Sequence, residues 1–318
     1  MSAKLELLIV VINYKTAAMV IDCLQTVLPQ LKERQKVALV DNCSGDGSAE
    51  TLQAWVAAHG DGKVDLILSP ENGGFSAGNN IGIKHAEADH YLLLNSDTLL
   101  RDGALATMLD TMTNKRCGFV APRLEWPDAT PQESCFRFHR PISELIYGAA
   151  TGAVTRLLGR WVVALPVSEK PISPEWASFA CILLRGEMVK DVGLMDEGYF
   201  LYYEDVDYCK EAANRGWSIV YQPAARVVHL RGGSSPMKSN YAHKKRLPYY
   251  YYASRTRYFA KHYGRLGAFL ANSAWLTGRS ISKLRELLGK KDIAACEKQF
   301  SDIWIQFSSP LKPYRPKS

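Results

Sequence analysis

Short apolar runs alternate with longer helical stretches through the first hundred residues, and this alternation constrains the fold more than any other feature of the chain. Leu7-Leu-Ile-Val-Val-Ile12 is a continuous aliphatic run, and a helical stretch follows from Ala17 to Glu33. The pairing recurs with Val37–Val40 then Ser48–Ala58, and with Val64–Leu68 then Gly78–Ala88, before a fourth run at Tyr91–Leu94. Unbroken apolar runs of this length read as strands buried on both faces, since a half-buried strand would alternate. Strand, helix, strand at this spacing predicts parallel βαβ units in a doubly wound sheet. Ligands of such sheets bind beyond the carboxyl ends of the strands. The residues to inspect are therefore Asn13-Tyr14, Asp41-Asn42, Glu71-Asn72 and Asn95-Ser96-Asp97.

Past Pro122 the regularity lapses. The Pro- and aromatic-rich stretch Pro122–Pro174 reads as an excursion carrying substrate-facing loops. Order returns in a strand-like run Trp176–Arg185, a helix Tyr203–Arg215, a strand Ser218–Tyr221 and a strand-like Ala225–Val228. Gly232-Gly-Ser-Ser-Pro236 reads as a flexible loop, so we expect one domain over 1–235 and a basic, Tyr-rich helical region over 236–318. With 47% apolar and 22% charged residues the chain has a globular composition. Its seven scattered cysteines, without a C-x-x-C pair, argue against a zinc ribbon or disulfide framework and for a reducing compartment. Leu7–Ile12 is too short for a signal-peptide core, and the uncharged stretch Leu266–Gly278 falls short of the roughly 20 residues a bilayer requires. The net charge of +7 conceals an asymmetry. Residues 1–225 carry 20 Lys and Arg against 28 Asp and Glu, a balance of −8; residues 226–318 carry 19 against 4, a balance of +15. An acidic body with a basic tail predicts a polyanionic partner: nucleic acid, anionic lipid or a phosphorylated substrate.

Four groups of residues can carry chemistry. Asp97 ends the run that begins at Tyr91, on the ligand side of the predicted sheet. A carboxylate there can bind Mg²⁺ or Mn²⁺ together with a diphosphate, because these cations take oxygen ligands and retain water and phosphate. It could equally cap a helix. Between Asp196 and Asp207 the acids Asp196, Glu197, Glu204 and Asp205 interleave with aromatics. At a helix start the dipole favours Glu204 and Asp205 as anions, and a base aimed into a cleft can accept a hydroxyl proton. A solvated acidic helix start backed by an aromatic core would look much the same, and Asp207 reads as a structural hydrogen-bonder. His229, after a strand and before a glycine-rich loop, is either structural or a metal ligand. The loop Pro70–Asn80, with Gly73, Gly74 and Gly78, lets backbone approach phosphate or sugar. It is neither a Walker loop nor a G-x-G-x-x-G fingerprint, which argues against a kinase or a dehydrogenase.

Taken in order, these motifs resemble the inverting family 2 glycosyltransferases of the GT-A fold, and more narrowly the bacterial rhamnosyltransferase-like branch. The match runs from Leu7 to about Ser234 through Val11-Ile-Asn-Tyr14, Val40-Asp-Asn-Cys-Ser44, Asp46-Gly-Ser48, Asn72–Asn80, Leu94-Asn-Ser-Asp-Thr98, Gly193-Leu-Met-Asp-Glu197, Tyr203-Glu-Asp-Val-Asp207 and Gly216-Trp217. The resemblance implies an α/β, Rossmann-like GT-A domain with a doubly wound, mostly parallel sheet and a C-terminal helical region. It implies a metal-dependent hexosyltransferase of cell-surface polysaccharide synthesis that inverts the anomeric centre. L-rhamnose from dTDP-rhamnose is the first choice; galactofuranose or N-acetylhexosamine from a UDP-sugar is the alternative. Tyr14 would stack near the nucleobase and Asp41 would accept a hydrogen bond from it. Asn72, Gly73, Gly74, Asn79 and Asn80 would lie along the ribose and diphosphate, with Ser96 beside them. Asp97 would stand for the carboxylate of the DxD motif, His229 would join it on the divalent cation, and Asp205 would be the general base. Trp176, Asp196, Glu197 and Glu204 are placed on the acceptor side. The DxD motif here begins with Asn95, so weak metal binding dependent on nucleotide diphosphate is expected.

Two rival readings are weaker. Paired carboxylates could suggest a glycosidase, which leaves the nucleotide-type crevice and Asp97 without a role. A non-catalytic polyanion binder could use Lys244-Lys-Arg246, Tyr249–Tyr252, Arg255 and Arg257, as RNA-binding surfaces do, but no RRM, KH or zinc signature is present and nucleic acid is not expected. Aromatics beside Lys and Arg also describe a membrane-interface anchor. The tail is therefore expected to hold the enzyme peripherally on the cytoplasmic face of the cell membrane, near a saccharide or lipid-linked acceptor; the alternative is that its apolar residues pack on the GT-A body and its charges are solvated. Its docking residues would be Arg255, Arg257, Lys261, Arg265, Arg279, Lys283 and Arg285 with Tyr258, Phe259, Phe269, Trp275 and Leu276.

Overall fold

A computed structural model describes residues 4–231, 237–289 and 295–315; the loop expected at Gly232–Pro236 lies outside the described residues. The chain forms two compact units, one from residues 1–136, 165–197 and 205–234, the other from 137–164, 198–204 and 235–318.

In the first unit the expected βαβ series is present: β1 (Leu5–Asn13), α1 (Ala17–Val27), β2 (Gln35–Asp41), α2 (Ser48–His59), β3 (Val64–Leu68), α3 (Gly74–His85) and β4 (Ala88–Asn95). Leu7 to Val11 are fully buried, as an unbroken aliphatic run requires. After β4 come β5 (Thr98–Leu100), α4 (Ala104–Thr111) and β6 (Cys117–Glu125). The short strands β7 (Cys135–Phe136) and β8 (Trp176–Ala177) pair as a separate two-stranded sheet. The unit closes with β9 (Cys181–Arg185), α7 (Gly186–Val192), α8 (Glu204–Asn214) and β10 (Ser218–His229). The main sheet has the order β3-β2-β1-β4-β9-β6-β10-β5. Its β3-β2-β1-β4 half is wholly parallel, and β6 and β10 are parallel to each other. β9 runs antiparallel between β4 and β6, and β5 antiparallel against β10, so the far half is mixed. Both edges of β4 are taken, by β1 and β9, so β5, two residues on, pairs with β10 instead. The run Trp176–Arg185 divides into two strands in different sheets, whereas Ser218–Tyr221 and Ala225–Val228 belong to the single strand β10.

The segment Pro122–Pro174 is more ordered than a loop-bearing excursion. It contributes α5 (Pro141–Ala149) and α6 (Gly152–Leu157) to the second unit, where they join α9 (Met237–Ala242), α10 (Tyr249–Leu287) and α11 (Gln299–Asp302). α10 breaks at Gly264, whose φ of 71° and ψ of 177° are non-helical. The distal half of α10 packs backbone to backbone on α5. A Cβ on Gly148 would lie 2.3 Å from the Trp275 carbonyl oxygen, and one on Gly278 would lie 2.2 Å from that of Leu145.

This packing revises the expected docking residues. Arg255 is buried, with Nε and Nη2 on Glu144 Oε2 at 3.1 and 2.8 Å and Nη1 on Asn272 Oδ1 at 2.6 Å. Arg279, also buried, binds Glu286 through two hydrogen bonds of 2.5 and 2.9 Å. A desolvated guanidinium needs such a partner. Tyr258, Phe259 and Trp275 are buried as well. These two cations and three aromatics serve the interior of the second unit rather than its surface. Among the described residues no helix is long and apolar enough to cross a membrane.

Candidate active site

The parallel half of the sheet gathers polar side chains at its carboxyl edge. Register sets Asn13 beside Asp41. Asn13 Nδ2 donates to Asp41 Oδ1 at 2.7 Å and to Ser44 Oγ at 3.0 Å. Ser44 Oγ and its backbone N–H donate to Asp41 Oδ1 and Oδ2 at 2.6 and 3.1 Å. A carboxylate offers about four acceptor directions. These bonds use three, leaving buried Asp41 capacity for one ligand donor. Asn13 Oδ1 accepts from Thr16 N and Oγ1, and Thr16 Oγ1 lies 3.0 Å from Ser96 Oγ, tying the ends of β1 and β4 together. Tyr14, half-buried, stands next to this network with Lys15 Nζ 5.2 Å from its ring centroid.

The glycine-rich loop closes a second cluster. Asn42 Nδ2 donates to Asn72 Oδ1 at 2.9 Å and to the Gly74 carbonyl at 3.1 Å, while Gly74 N donates to Asn72 Oδ1 at 3.0 Å. Gly74 has φ of 87°, in the left-handed region where a side chain would be strained. Gly73, just before α3, is buried; Asn79 Nδ2 donates to the Phe75 carbonyl, so that amide braces the first turn of α3. Asn42 Oδ1 and Ser76 Oγ are buried with no hydrogen-bond partner among the described residues. Buried polar atoms rarely stay so, and both offer a polar ligand something to bind. Asn80 spends its amide elsewhere: Nδ2 donates to the Met195 carbonyl and to Glu197 Oε1 at 2.8 and 2.9 Å, and Oδ1 accepts from Met195 N at 3.0 Å. It therefore ties α3 to the 195–197 loop.

The antiparallel pairing of β5 with β10, Thr98 opposite His229, brings together two residues far apart in sequence. His229 Nε2 lies 3.5 Å from Asp97 Oδ1, with both side chains largely buried. Leu230 N donates to the Asp97 carbonyl at 2.9 Å, and Gln132 Nε2 donates to the His229 carbonyl at 2.7 Å, fixing both backbones. Among the described residues no group of three or more His, Cys, Asp or Glu side chains is placed to hold a metal ion. One carboxylate and one imidazole fit a divalent cation whose remaining ligands come from water and phosphate.

Asp205 occupies the first turn of α8, its Oδ1 accepting from Val206 N at 2.8 Å. Burial raises its carboxyl to about 7, against the lowering effect of the backbone N–H groups of Val206 and of Asp205 itself. Just before α8, Tyr202 and Tyr203 hold φ of 70° and 68°. Left-handed backbone at consecutive non-glycine residues costs about 1–3 kcal/mol each and persists only where its surroundings enforce it. Of the remaining acceptor-side candidates, Glu204 is buried at the first position of α8, Asp196 is half-buried and Glu197 is exposed. Trp176 stacks on Phe136, ring centroids 4.2 Å apart, in the small sheet.

The structure thus joins Asp97 to His229, Asn72 to Gly74, and Asn80 to Glu197. It adds Asn13, Asn42 and Ser44. Strand-end position marks Asn13 and Asn42 for inspection, but nothing local in the sequence shows that Asn13 would lock Asp41 or that Asn42 would clamp the glycine loop.

Residues 8–134 match the family described as glycosyl transferase family 2. An N-acetylglucosaminyl-diphospho-decaprenol L-rhamnosyltransferase of Mycobacterium tuberculosis (strain CDC 1551 / Oshkosh) is 30% identical over 231 residues, covering 66% of this chain and 72% of that protein. The rhamnosyltransferase WbbL of Escherichia coli (strain K12) is 26% identical over 166 residues, covering 49% of this chain and 60% of its own. In three dimensions the chain resembles the mannosyltransferase PcManGT of Pyrobaculum calidifontis, solved with GDP-Man and Mn²⁺. The TM-score is 0.57 at 14% identity, over 98% of this chain and 86% of that one. The fold is therefore GT-A, and the chain belongs to the family 2 glycosyltransferases, in their rhamnosyltransferase-like branch.

Proposed function

We propose that the chain moves L-rhamnose from dTDP-rhamnose to a saccharide or lipid-linked acceptor in one inverting displacement, as a step in cell-surface polysaccharide synthesis. The observation that carries this reading is a division of labour among polar groups: hydrogen-bonding groups at Asn13, Asp41 and Asn42 and a cation-type pair at Asp97 and His229 at the strand ends, and a carboxyl of raised pKa at Asp205 in the first turn of α8. The names of two relatives favour rhamnose, and one of those names also carries a diphospho-decaprenol acceptor. A lipid-linked acceptor would place the enzyme at the cytoplasmic face of the cell membrane.

In this reading an acceptor hydroxyl oxygen bonds to the anomeric carbon as the bond to the diphosphate oxygen breaks, and the hydroxyl proton passes to an Asp205 oxygen. One displacement inverts the centre. A carboxylate titrating near neutrality suits this task, because it is free to accept at working pH and basic enough to do so. Asp41 and Tyr14 hold the base, and the Asn72–Asn79 loop lies along the ribose and diphosphate. Asp97 and His229 would hold a divalent cation, which when bound offsets the charge of the departing diphosphate. Asp196, Glu197, Glu204 and Trp176 are read as the acceptor side.

The deciding experiment incubates the protein with a divalent cation, a polyprenyl-diphosphate N-acetylglucosamine acceptor and, in parallel, dTDP-rhamnose, UDP-galactofuranose and UDP-N-acetylhexosamines. Nucleotide diphosphate release and the anomeric configuration of the product are read by NMR. Rhamnose transfer with inversion is expected. A product of retained configuration would remove the single displacement, and release from a UDP-sugar alone would replace the donor.

A further inference from the structure

Beyond Gly264, α10 has two contrasting faces. One packs inward through small residues, Gly267, Ala268, Ala271, Gly278 and Ser282, around a buried Trp275. The other exposes Leu266, Phe269, Leu270 and Leu284, and leads on to Leu287 and Leu288, which are 76% and 77% exposed. The spacing is helical, so these side chains share one stripe. Ser273, Thr277 and Ser280 lie on the same face between them, so the apolar residues form a cluster at each end, Leu266-Phe269-Leu270 and Leu284-Leu287-Leu288. Lone exposed leucines are ordinary, but clustered exposed apolar side chains mark an interaction surface.

Charge indicates what covers it. Between Arg265 and Gly289 the sequence has a single acid, Glu286, and both of its oxygens bind Arg279. Arg265 and Lys283 are exposed beside the leucines. Residues 226–318 as a whole hold 19 Lys and Arg against 4 Asp and Glu. A second copy docked through the same face would set Arg265 and Lys283 against like charges, with no carboxylate in the stripe to offset them. An anionic bilayer satisfies both halves of the surface, the two apolar clusters entering the headgroup–acyl boundary and the cations meeting lipid phosphate.

We propose that the outer face of α10 from Leu266 to Leu288 is a membrane-interface surface that seats the chain on anionic phospholipid. The inserting residues differ from those the sequence suggests. Leu266, Leu270, Leu284, Leu287 and Leu288 replace Tyr258, Phe259 and Trp275, and buried Arg255 and Arg279 take no part. The surface gives purpose to the lipid-linked acceptor reading and rests on it in that respect alone.

Cosedimentation of the full chain with vesicles of phosphatidylcholine, with and without phosphatidylglycerol, tests the surface in the absence of any sugar. Binding to the phosphatidylglycerol vesicles is expected, weakened but not abolished by salt. Leu284→Glu/Leu288→Glu should partition at least about tenfold more weakly, and so should the uncharged Leu284→Ser/Leu288→Ser, because burial of leucine drives insertion. Both side chains are exposed, so melting temperatures should hold and certify the fold. Wild-type protein left in the supernatant at low ionic strength would overturn the proposal. So would serine variants that sediment like wild type, or a concentration-dependent dimer that the same substitutions dissolve. A chain that binds vesicles but transfers no sugar sinks only the transferase reading; one that transfers sugar yet ignores vesicles sinks only this one.

Discussion

Burial lifts the Asp205 carboxyl to about 7, so near neutral pH both its protonation states are populated. If it is the base, transfer should fall as pH drops through 7, since only the carboxylate accepts a proton. Asp205→Asn should lower kcat by about 10²–10⁴-fold while donor affinity stays close to wild type. Transfer within tenfold of wild type would take the role from this residue. The same shift bears on stability. A carboxyl raised in the folded state contributes stability that is fully present below its unfolded value near 4 and is lost as pH rises through about 7. Asp205→Asn should therefore melt higher than wild type at pH 8 and alongside it at pH 4, which calorimetry at the two pH values would read. Asp97 and His229 are the two protein ligands of the proposed cation site. With Asn95 neutral and His229 3.5 Å away as the other proposed ligand, Asp97→Ala should weaken donor binding and turnover together, and added Mn²⁺ should recover part of the loss. Full activity of wild type in EDTA would leave the Asp97–His229 pair without a metal to hold.

At the scale of elements, the parallel strands and their helices were legible because aliphatic runs and strand-end polar residues are local signals. The start of α3 was less so. Its first turn holds Gly74 and Ser76, poor helix formers that a propensity reading assigns to a loop, and the hydrogen bonds from Asn42 and Asn72 that fix the loop come from distant sequence. The pairing of α5 with α10 gave no signal at all. It depends on Gly148 and Gly278, more than a hundred residues apart, meeting where neither has a side chain. Gly278→Leu should force the two backbones apart and cost about 3 kcal/mol or more, seen as a lowered melting temperature. Gly159, where an added Cβ meets nothing within 4 Å, provides the control, and Gly159→Ala should leave the melting temperature near wild type. Equal losses from both would deny the close contact.

Across the whole molecule the charge imbalance was plain in the sequence, but the fate of each charge was not. Glu144 and Arg255 pair inside the second unit, as do Arg279 and Glu286, and a net charge cannot reveal which cations are consumed in this way. The proposed donor site shows the same limit, since Asp97 and His229 meet because β5 and β10 are neighbours in the sheet. This geometry predicts how ligands should act on global stability. A ligand that binds only the folded chain stabilises it by about 2.7 kcal/mol when present at 100 times its dissociation constant. With two protein ligands in the proposed cation site, Mn²⁺ alone should move the melting temperature little. dTDP alone should move it modestly through Asp41, Asn42 and the glycine loop. The two together should exceed the sum of their separate shifts, because the diphosphate completes the coordination that the chain leaves open. Differential scanning fluorimetry over a grid of the two ligands reads this coupling directly. Additive shifts would mean that cation and nucleotide bind without sharing a site, and a large shift from Mn²⁺ alone would mean that the chain closes its metal site with ligands other than Asp97 and His229.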